Sequence, residues 1–211
     1  EFYKKAPIER PVSKRRITYL GGGRHACIEF GDDAWSREPY NNTFIVWRSQ
    51  FDRWFAQQAE EAGANILEGM LADGLIYEGA GDARRAIGVK LRGDEVFHAD
   101  TIILADGANC LVREEAAREL NIPAGKHGQD YAIGVKETIA LPQQTIEDRF
   151  GLTADEGMAL DFFGEPFKGL VGGGFIYTAK DALHCGVVAN VADIEKLGVP
   201  PNESREGFKQ H

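Results

Sequence analysis

Cysteine and metal-binding patterns are scarce in this sequence. Only three cysteines occur, Cys27, Cys110 and Cys185, and no two of them form a CxxC pair. An odd number of widely spaced cysteines supports neither a disulfide framework nor a cysteine-based metal site, so we expect three thiols in or near the core of a protein from a reducing compartment. The five histidines form no HxxxH pattern, and the sequence predicts no metal centre.

The sequence also lacks a long apolar run, a signal peptide and an excess of basic residues. No stretch approaches the roughly 20 apolar residues that a membrane-spanning helix needs. The N-terminal region does not have the charged and apolar segments of a secretory signal. Acidic residues outnumber basic ones by 33 to 24, which gives a net charge of −9. Because phosphate binding needs clustered Lys and Arg, we expect no nucleic-acid groove.

The sequence does contain enough apolar material for a packed core. Hydrophobic residues make up 43% of the 211 positions and charged residues 27%. These proportions are typical of one or two globular domains. Because the first residue is Glu1 rather than Met, we expect a piece of a longer protein.

The N-terminal third combines a hairpin with a strand–helix pair. Residues 1–15 predict a loop or extended arm, and short strands at Arg16–Leu20 and His25–Phe30 flank a permissive triple-glycine turn. A further strand at Thr43–Trp47 leads into a helix that Ser49 is expected to cap. The helix should end at Gly63, and a short strand should follow at Asn65–Glu68. The helix has one apolar face, formed by Phe51, Trp54, Phe55 and Ala59.

The middle of the chain changes to an alternating pattern. Alternation and turn residues predict a three-stranded meander, with strands at Leu71–Glu78, Arg85–Arg92 and Glu95–Ala99. The near-continuous apolar run Thr101–Ala105 predicts a parallel strand buried on both faces. A helix at Leu111–Leu120 follows. This order of elements is typical of part of an α/β nucleotide-binding domain.

The second half is richer in strands. We expect helices at Gln143–Phe150, Asp193–Leu197 and Glu203–Gln210, and strands at Tyr131–Leu141, Glu156–Phe163, Gly174–Thr178 and Ala182–Val191. The change from helix period to strand period near Pro123 predicts a largely antiparallel sheet in this part of the chain.

The junction Asp106-Gly107 joins the predicted buried strand to the following helix. In open α/β sheets, ligands bind beyond the carboxyl ends of the strands. Gly107 would let the backbone approach a ligand closely, and amides at the start of the helix would face phosphate oxygens. An ordinary strand–turn–helix with Asn109 as N-cap explains the same residues equally well.

Two phrases around this junction resemble a known signature. "RSQFDRWFAQQAEEAGA", together with the later "ILADGANC", is similar to FAD-dependent flavoproteins such as aromatic hydroxylases, geranylgeranyl reductases and quinone-linked dehydrogenases. The resemblance implies that Arg48 and Asp106-Gly107 contact FAD, and it places Ala72 near the adenine. From the residues alone, Arg48 has another reading, an ion pair with a surface acid such as Asp52.

Two later phrases narrow the resemblance. "IGVKETIALPQQTIEDRFGL" and "GGGFIYTAKDALHCGVVANV" resemble the FixC proteins, which are similar to electron-transfer flavoprotein–quinone oxidoreductases. In those enzymes the matching glycines lie beside bound quinone, which implies substrate contacts at Gly172 and Gly173. Side-chain-free backbone lets a flat ring pack closely. A glycine-rich strand entry that is needed only for sheet packing explains the two residues equally well.

The resemblance implies a mixed α/β (α+β) fold in two parts. Residues 44–120 would be the remnant of a FAD/NAD(P)-binding Rossmann-like domain, and residues 1–43 with 121–211 a mostly antiparallel substrate-side sheet. The sequence contains no GxGxxG, the turn that binds the cofactor pyrophosphate in this family. We therefore expect an internal fragment that purifies without flavin when isolated.

The implied full-length protein is a FAD-dependent dehydrogenase of the kind associated with nitrogen fixation. It would pass electrons from an electron-transfer flavoprotein to quinone or a ferredoxin-like acceptor. The flavin would carry the chemistry, and no catalytic acid, base or nucleophile is expected in this chain. A cytoplasmic protein is implied, with a peripheral position at the inner membrane as an alternative for the full-length form. Two other functions stay open, a geranylgeranyl-reductase-like flavoprotein and a non-catalytic module without cofactor.

Overall fold

The computed structural model describes residues 2–38, 43–109, 111–123, 131–198 and 201–209. The helices among these residues are α1 (Phe2–Lys5), α2 (Arg48–Glu61), α3 (Leu111–Glu119), α4 (Gln143–Phe150), α5 (Val191–Leu197) and α6 (Pro201–Lys209). The strands are β1 (Ile8–Gly21), β2 (Arg24–Gly31), β3 (Phe44–Val46), β4 (Ala72–Glu78), β5 (Arg85–Leu91), β6 (Val96–His98), β7 (Ala132–Ala140), β8 (Gly157–Gly164), β9 (Gly172–Thr178) and β10 (Ala182–Asn190).

The chain divides into two compact units. Residues 1–64 and 128–211 form the first unit, and residues 65–127 form the second. The sequence analysis drew its boundaries at 44 and 120 instead, so β3 and α2 fall in the first unit rather than with the predicted cofactor-side segment. The reason for their position is that β3 pairs with β1 and extends the larger sheet.

The first unit is built on a seven-stranded sheet with the order β2-β1-β8-β9-β10-β7, and β3 pairs with β1 beside this path. Strands β1 and β8 run parallel, while the other described pairs are antiparallel. The prediction of a mixed fold with a mostly antiparallel sheet is thus confirmed.

The glycine-rich turn between β1 and β2 closes a two-residue hairpin, as the sequence predicted. Gly21 pairs with Arg24, and the two residues between them, Gly22 and Gly23, have φ angles of 56° and 71°. Two consecutive positive φ angles define a turn whose twist matches that of antiparallel strands, and glycine adopts them without strain. The carboxylate of Glu165 accepts a hydrogen bond from the Gly22 amide and holds the tip of the hairpin.

A buried arginine ties the first strand to the later part of this unit. Arg10 is 0% exposed, and its guanidinium donates to the backbone oxygens of Thr153 at 2.9 Å and Glu156 at 2.8 Å. It also pairs with the carboxylate of Glu147 on α4 at 3.0 Å. Arg10 therefore links β1 to α4 and to the turn that precedes β8.

The second unit contains the predicted meander and one helix. Strands β4, β5 and β6 form a three-stranded antiparallel sheet, and α3 buries Val112 and Ala116. A side chain at Gly74 of β4 would lie 3.0 Å from the carboxylate of Glu115, which shows how closely α3 packs on this strand.

Two strands expected from the sequence are absent from the described residues. Thr101–Ala105 has no strand pairing, and Ile103 is 83% exposed rather than buried. Asn65–Glu68 is also irregular. A strand forms only where a neighbouring strand accepts its hydrogen bonds, and no described strand lies beside either segment.

Local expectations at three further places were wrong. Ser49 does not cap α2: the helix already begins at Arg48, with Trp47 as an N-cap that makes no side-chain hydrogen bond. Residues 8–15, predicted as part of a loop or extended arm, are extended and belong to the long strand β1, because β8 and β3 pair with them. Cys27 is exposed on the edge strand β2 and Cys185 is half-buried, while Cys110 lies outside the described residues.

Candidate functional site

The site lies in a cavity of about 370 Å³ on one face of the large sheet, within the first unit. This volume falls in the usual range of small-molecule sites. Most of its walls are apolar, and charged side chains join them. The lining residues are Val12, Arg15, Thr43, Phe44, Ile45, Val46, Arg48, Lys136, Ala159, Asp161, Phe175, Tyr177 and His184.

Strand register explains why these distant residues meet. Across the sheet, Ala159 pairs with Arg15 on one side and Tyr177 on the other, and Tyr177 pairs with His184. In the next row on the same face, Asp161 pairs with Phe175. Residues two apart on a strand point to one face, so the two rows present their side chains to the same cavity.

Two stacked aromatic rings form the floor of the cavity. The ring centroids of Phe175 and Tyr177 are 4.9 Å apart and their planes differ by 22°. Gly186 on β10 makes room for the first ring, because a side-chain carbon there would lie 2.5 Å from the Phe175 ring. A flat ligand ring would find a matching surface here, since offset aromatic stacking adds to simple burial.

His184 is the most deeply buried polar side chain of the cavity. It is 3% exposed, its Nδ1 lies 3.1 Å from the Thr138 hydroxyl, and its Nε2 is buried without a hydrogen-bond partner among the described residues. The Trp47 ring packs edge-on against it, with centroids 4.5 Å apart. Burial, helped by the charge of Lys136, lowers the pKa of His184, so the imidazole is neutral at pH 7.

The charges at the cavity are mostly positive. Arg15, Arg48 and Lys136 contribute three cations, and Asp161 is the acid among the lining residues. Burial raises the pKa of the Tyr177 phenol, and the charge of Asp161 raises it further. The phenol therefore stays protonated at neutral pH and is available as a hydrogen-bond donor.

Arg48 is the predicted cofactor contact that the structure places in this cavity. It is the first residue of α2, follows β3, and lines the cavity while its side chain remains 76% exposed. Its Nε donates to the carboxylate of Asp52 at 2.8 Å, which is the surface ion pair considered as the alternative in the sequence analysis. An exposed pair of this kind is weak and leaves the guanidinium available to a stronger anionic partner.

Gly172 and Gly173, the predicted quinone contacts, open β9 in the same unit. A side-chain carbon at Gly172 would collide with the backbone oxygen of Val188, and one at Gly173 would lie 2.5 Å from the backbone oxygen of Phe162. Sheet packing alone therefore requires glycine at both positions. The two glycines do not line the cavity, although Phe175 on the same strand does.

The other predicted contacts, Ala72, Asp106 and Gly107, belong to the second unit. Ala72 is exposed at the start of β4, and Asp106 and Gly107 are exposed in the irregular segment before α3. Gly107 has a φ of 82°, and nothing lies within 4 Å of the position that a side chain would occupy. Arg48 and Asp106 do not follow strands of one sheet, because β3 belongs to the large sheet and residues 101–105 pair with no described strand.

Sequence reasoning missed most residues of the cavity. Arg15 was assigned to a loop or extended arm. Lys136 and Asp161 were predicted only as parts of strands, and His184 as a strand residue outside any zinc pattern. The alternation of Phe175 and Tyr177 was the available signal, since two aromatic residues two apart on a glycine-flanked strand share a face.

The described residues were also compared with the requirements of a metal centre and of a membrane-spanning helix. Within the described ranges, no group of three or more His, Cys, Asp or Glu side chains is arranged to hold a metal ion. The helices of this part of the chain are all too short or too polar to cross a membrane.

Comparison with known proteins identifies relatives along the whole chain. It is 36% identical over 210 residues to the probable electron transfer flavoprotein-quinone oxidoreductase YdiS of Escherichia coli K12. It is 35% identical over 212 residues to Protein FixC of the same strain, and to FixC of Azorhizobium caulinodans over 213 residues. The chain is therefore similar to the FixC proteins along its whole length. All of its residues are covered, but it spans about half of these relatives, 47% of their length.

Solved structures share the fold of this chain. A geranylgeranyl bacteriochlorophyll reductase-like protein from Thermoplasma acidophilum matches 97% of the chain and 46% of its own length, with a TM-score of 0.68 and 18% identity. The myxobacterial chondrochloren halogenase CndH, described as a variant of FAD-dependent halogenases, matches 99% of the chain and 43% of its own length, with a TM-score of 0.60 and 16% identity. No protein-family model matches the sequence.

Proposed function

We propose that this chain is part of a FAD-dependent oxidoreductase that takes electrons from an electron-transfer flavoprotein and passes them to quinone. The observation that carries the proposal is the identity of 35–36% along the whole chain to FixC and YdiS. A ferredoxin-like protein as an alternative acceptor, and a peripheral position of the full-length protein at the inner membrane, belong to the same proposal.

Two observations support flavin binding by residues of this chain. Arg48 is exposed and held only by a surface carboxylate, and Gly107 has a left-handed backbone with open space around it. A cation and an unobstructed stretch of backbone are what a phosphate-bearing cofactor needs for close approach. In the proposal, Arg48, Asp106, Gly107 and Ala72 hold FAD.

Bound flavin would supply the electron transfer, while the chain supplies binding and orientation. The Phe175–Tyr177 floor would exclude water and orient a flat ring, and the neutral His184 and protonated Tyr177 would offer hydrogen bonds rather than charge. In the proposal, Gly172 and Gly173 lie near the quinone at the start of β9, the strand that also carries Phe175 and Tyr177.

The test is flavin retention by the full-length protein that carries these residues. We expect Asp106→Ala and Arg48→Met each to weaken FAD binding about ten- to a hundred-fold, because a hydrogen bond to a charged group is worth about 1.5–3 kcal/mol. Equilibrium dialysis with fluorescence detection of released FAD measures this.

Asp52→Asn is the matched control for Arg48. It removes the surface partner of the arginine and leaves the guanidinium free, so FAD affinity should stay the same or rise. If Arg48→Met and Asp106→Ala both retain FAD as tightly as the unmodified protein, the proposed cofactor contacts are wrong.

A further inference from the structure

The cavity is lined mainly by positive side chains, although the chain as a whole is negatively charged. The chain carries a net charge of −9, yet three of the four charged side chains that line the cavity are cationic. Arg48 is offset by Asp52, whereas Arg15 and Lys136 have no carboxylate partner among the described residues. Unpaired cations gathered at an apolar cavity favour an anionic occupant, because its low-dielectric walls strengthen their field.

The two cations stand on opposite sides of the aromatic floor. Arg15 lies on β1 and Lys136 on β7, with β8, β9 and β10 between them in the sheet. Four strand spacings separate their backbones, roughly 19 Å. Both side chains line the cavity. Because they are long, the distance between their charged groups, above the stacked rings of Phe175 and Tyr177, is shorter than the distance between their backbones. A ligand of two or three fused rings matches such a gap.

His184 supplies an independent sign of a missing partner. Only 3% of His184 is exposed, and its Nε2 has no hydrogen bond within the described part of the chain. A buried polar atom without a partner costs about 1–3 kcal/mol, which a ligand atom or a bridging water would recover.

We propose that this cavity binds a planar aromatic compound that carries a negative charge, such as a carboxylated or phenolate-bearing fused ring. The ring lies on Phe175 and Tyr177, and the positive charges of Arg15 and Lys136, one at each end of this floor, attract the anionic group. The inference goes beyond the proposed electron transfer, because it states which class of small molecule the cavity selects. It rests on that function only in taking the cavity as the small-molecule side of the enzyme.

A pair of isosteric probes tests the charge selectivity on the 211-residue chain. 2-Naphthoate is a flat anion, and 2-naphthamide has the same shape without the charge. We expect 2-naphthoate to bind about tenfold more tightly, measured by calorimetry and by quenching of tryptophan fluorescence. Lys136→Met and Arg15→Met should each remove most of this preference while leaving the affinity for 2-naphthamide unchanged.

Two variants separate this role from effects on folding. Asp161→Asn removes the acid of the cavity and should increase the affinity for 2-naphthoate several-fold, a gain that misfolding cannot produce. Lys180→Met removes an exposed cation outside the cavity and should change neither affinity. Equal binding of the two probes, or no binding of either at millimolar concentration, overturns the inference without bearing on FAD retention by Arg48 and Asp106.

A competition experiment with FAD distinguishes the two possible occupants of the cavity, the flavin nucleotide and a separate acidic aromatic ligand. Measured on the full-length protein, displacement of 2-naphthoate by FAD would mean that the flavin nucleotide occupies the cavity. Simultaneous binding would mean that a separate acidic aromatic ligand occupies it. Both results support a planar-anion site, and each names a different occupant.

Discussion

At the scale of single residues, Arg10 holds the first unit together more than any surface charge does. Its fully buried guanidinium satisfies two backbone oxygens and one carboxylate. By contrast, Arg16 and Glu29 form an ion pair on the exposed hairpin, with 34% and 40% of their side chains accessible. The two ion pairs differ in their contribution to stability because one is buried. Water screens the exposed Arg16–Glu29 pair, but water cannot reach the buried Arg10 site to replace a lost partner.

Arg10→Ala should destabilise the protein by about 3–5 kcal/mol, the usual cost of removing one partner of a buried ion pair. The substitution also leaves the oxygens of Thr153 and Glu156 without a donor. Arg16→Ala, the matched surface control, should cost less than about 1 kcal/mol. Urea unfolding followed by circular dichroism measures both. Similar costs for the two variants would show that Arg10 is not the link described here.

Stability should depend on pH through Glu147. The amide of Gln143 and the guanidinium of Arg10 lower the pKa of this carboxyl below its usual value of 4.5. A carboxyl with a lowered folded pKa contributes stability above its unfolded pKa and loses it as the pH falls through the folded value. We therefore expect stability to fall as the pH drops below about 4.5.

Glu147→Gln isolates this contribution, since the variant has the same shape and no titrating group. Unfolding curves between pH 3 and 6 should show a shallower loss of stability for the variant than for the unmodified chain. Identical pH profiles would exclude Glu147 as a source of the acid sensitivity.

At the scale of elements, the glycines of β9 and α6 should respond in opposite ways to the same substitution. Gly172→Ala should destabilise, because its new carbon would collide with the backbone oxygen of Val188. Gly207→Ala should stabilise by up to about 1 kcal/mol, since α6 leaves open space there and alanine favours helix. Thermal unfolding of the two variants checks this, and a stable Gly172→Ala protein would contradict the described β9–β10 packing.

The elements that the sequence predicted well are those with local signals. The hairpin at Gly22-Gly23, the meander β4–β6 and helix α4 all follow from turn residues and periodicity within a few positions. Thr101–Ala105 has the composition of a buried strand, but a strand also needs a partner, and composition does not say which segment that is. The same limit hid the cavity, since Arg15, Tyr177 and His184 meet only through the pairing of β1, β8, β9 and β10.

At the scale of the whole molecule, the two clusters of buried apolar side chains found among the described residues lie in the first unit. One is around Val12 and Ala159 and the other around Met158 and Leu160. In the second unit, Ile103 and Leu111 are 83% and 78% exposed. Apolar side chains left this open contribute little to the stability of the unit that carries them.

Hydrogen exchange should reveal this difference directly. In the 211-residue chain, amides of residues 101–105 should exchange nearly as fast as those of an unstructured peptide, because no described strand accepts their hydrogen bonds. Amides in β8, β9 and β10 should be strongly protected. Exchange measured by mass spectrometry after peptic digestion resolves the two regions. Strong protection of residues 101–105 would mean that they pair after all.

The parallel pairing of β1 with β8 also sets the order of events during synthesis. Arg10 and the backbone oxygen of Glu156 that it contacts are separated by 146 residues in the chain. At a translation rate of about 5–20 residues per second, the first strand leaves the ribosome roughly 7–30 s before its central neighbour exists. During this interval, β2 and β3 are the partners of β1 among the described strands. Its run of Lys14, Arg15 and Arg16 then protects the nascent chain, because charges on an open strand edge discourage association with other chains.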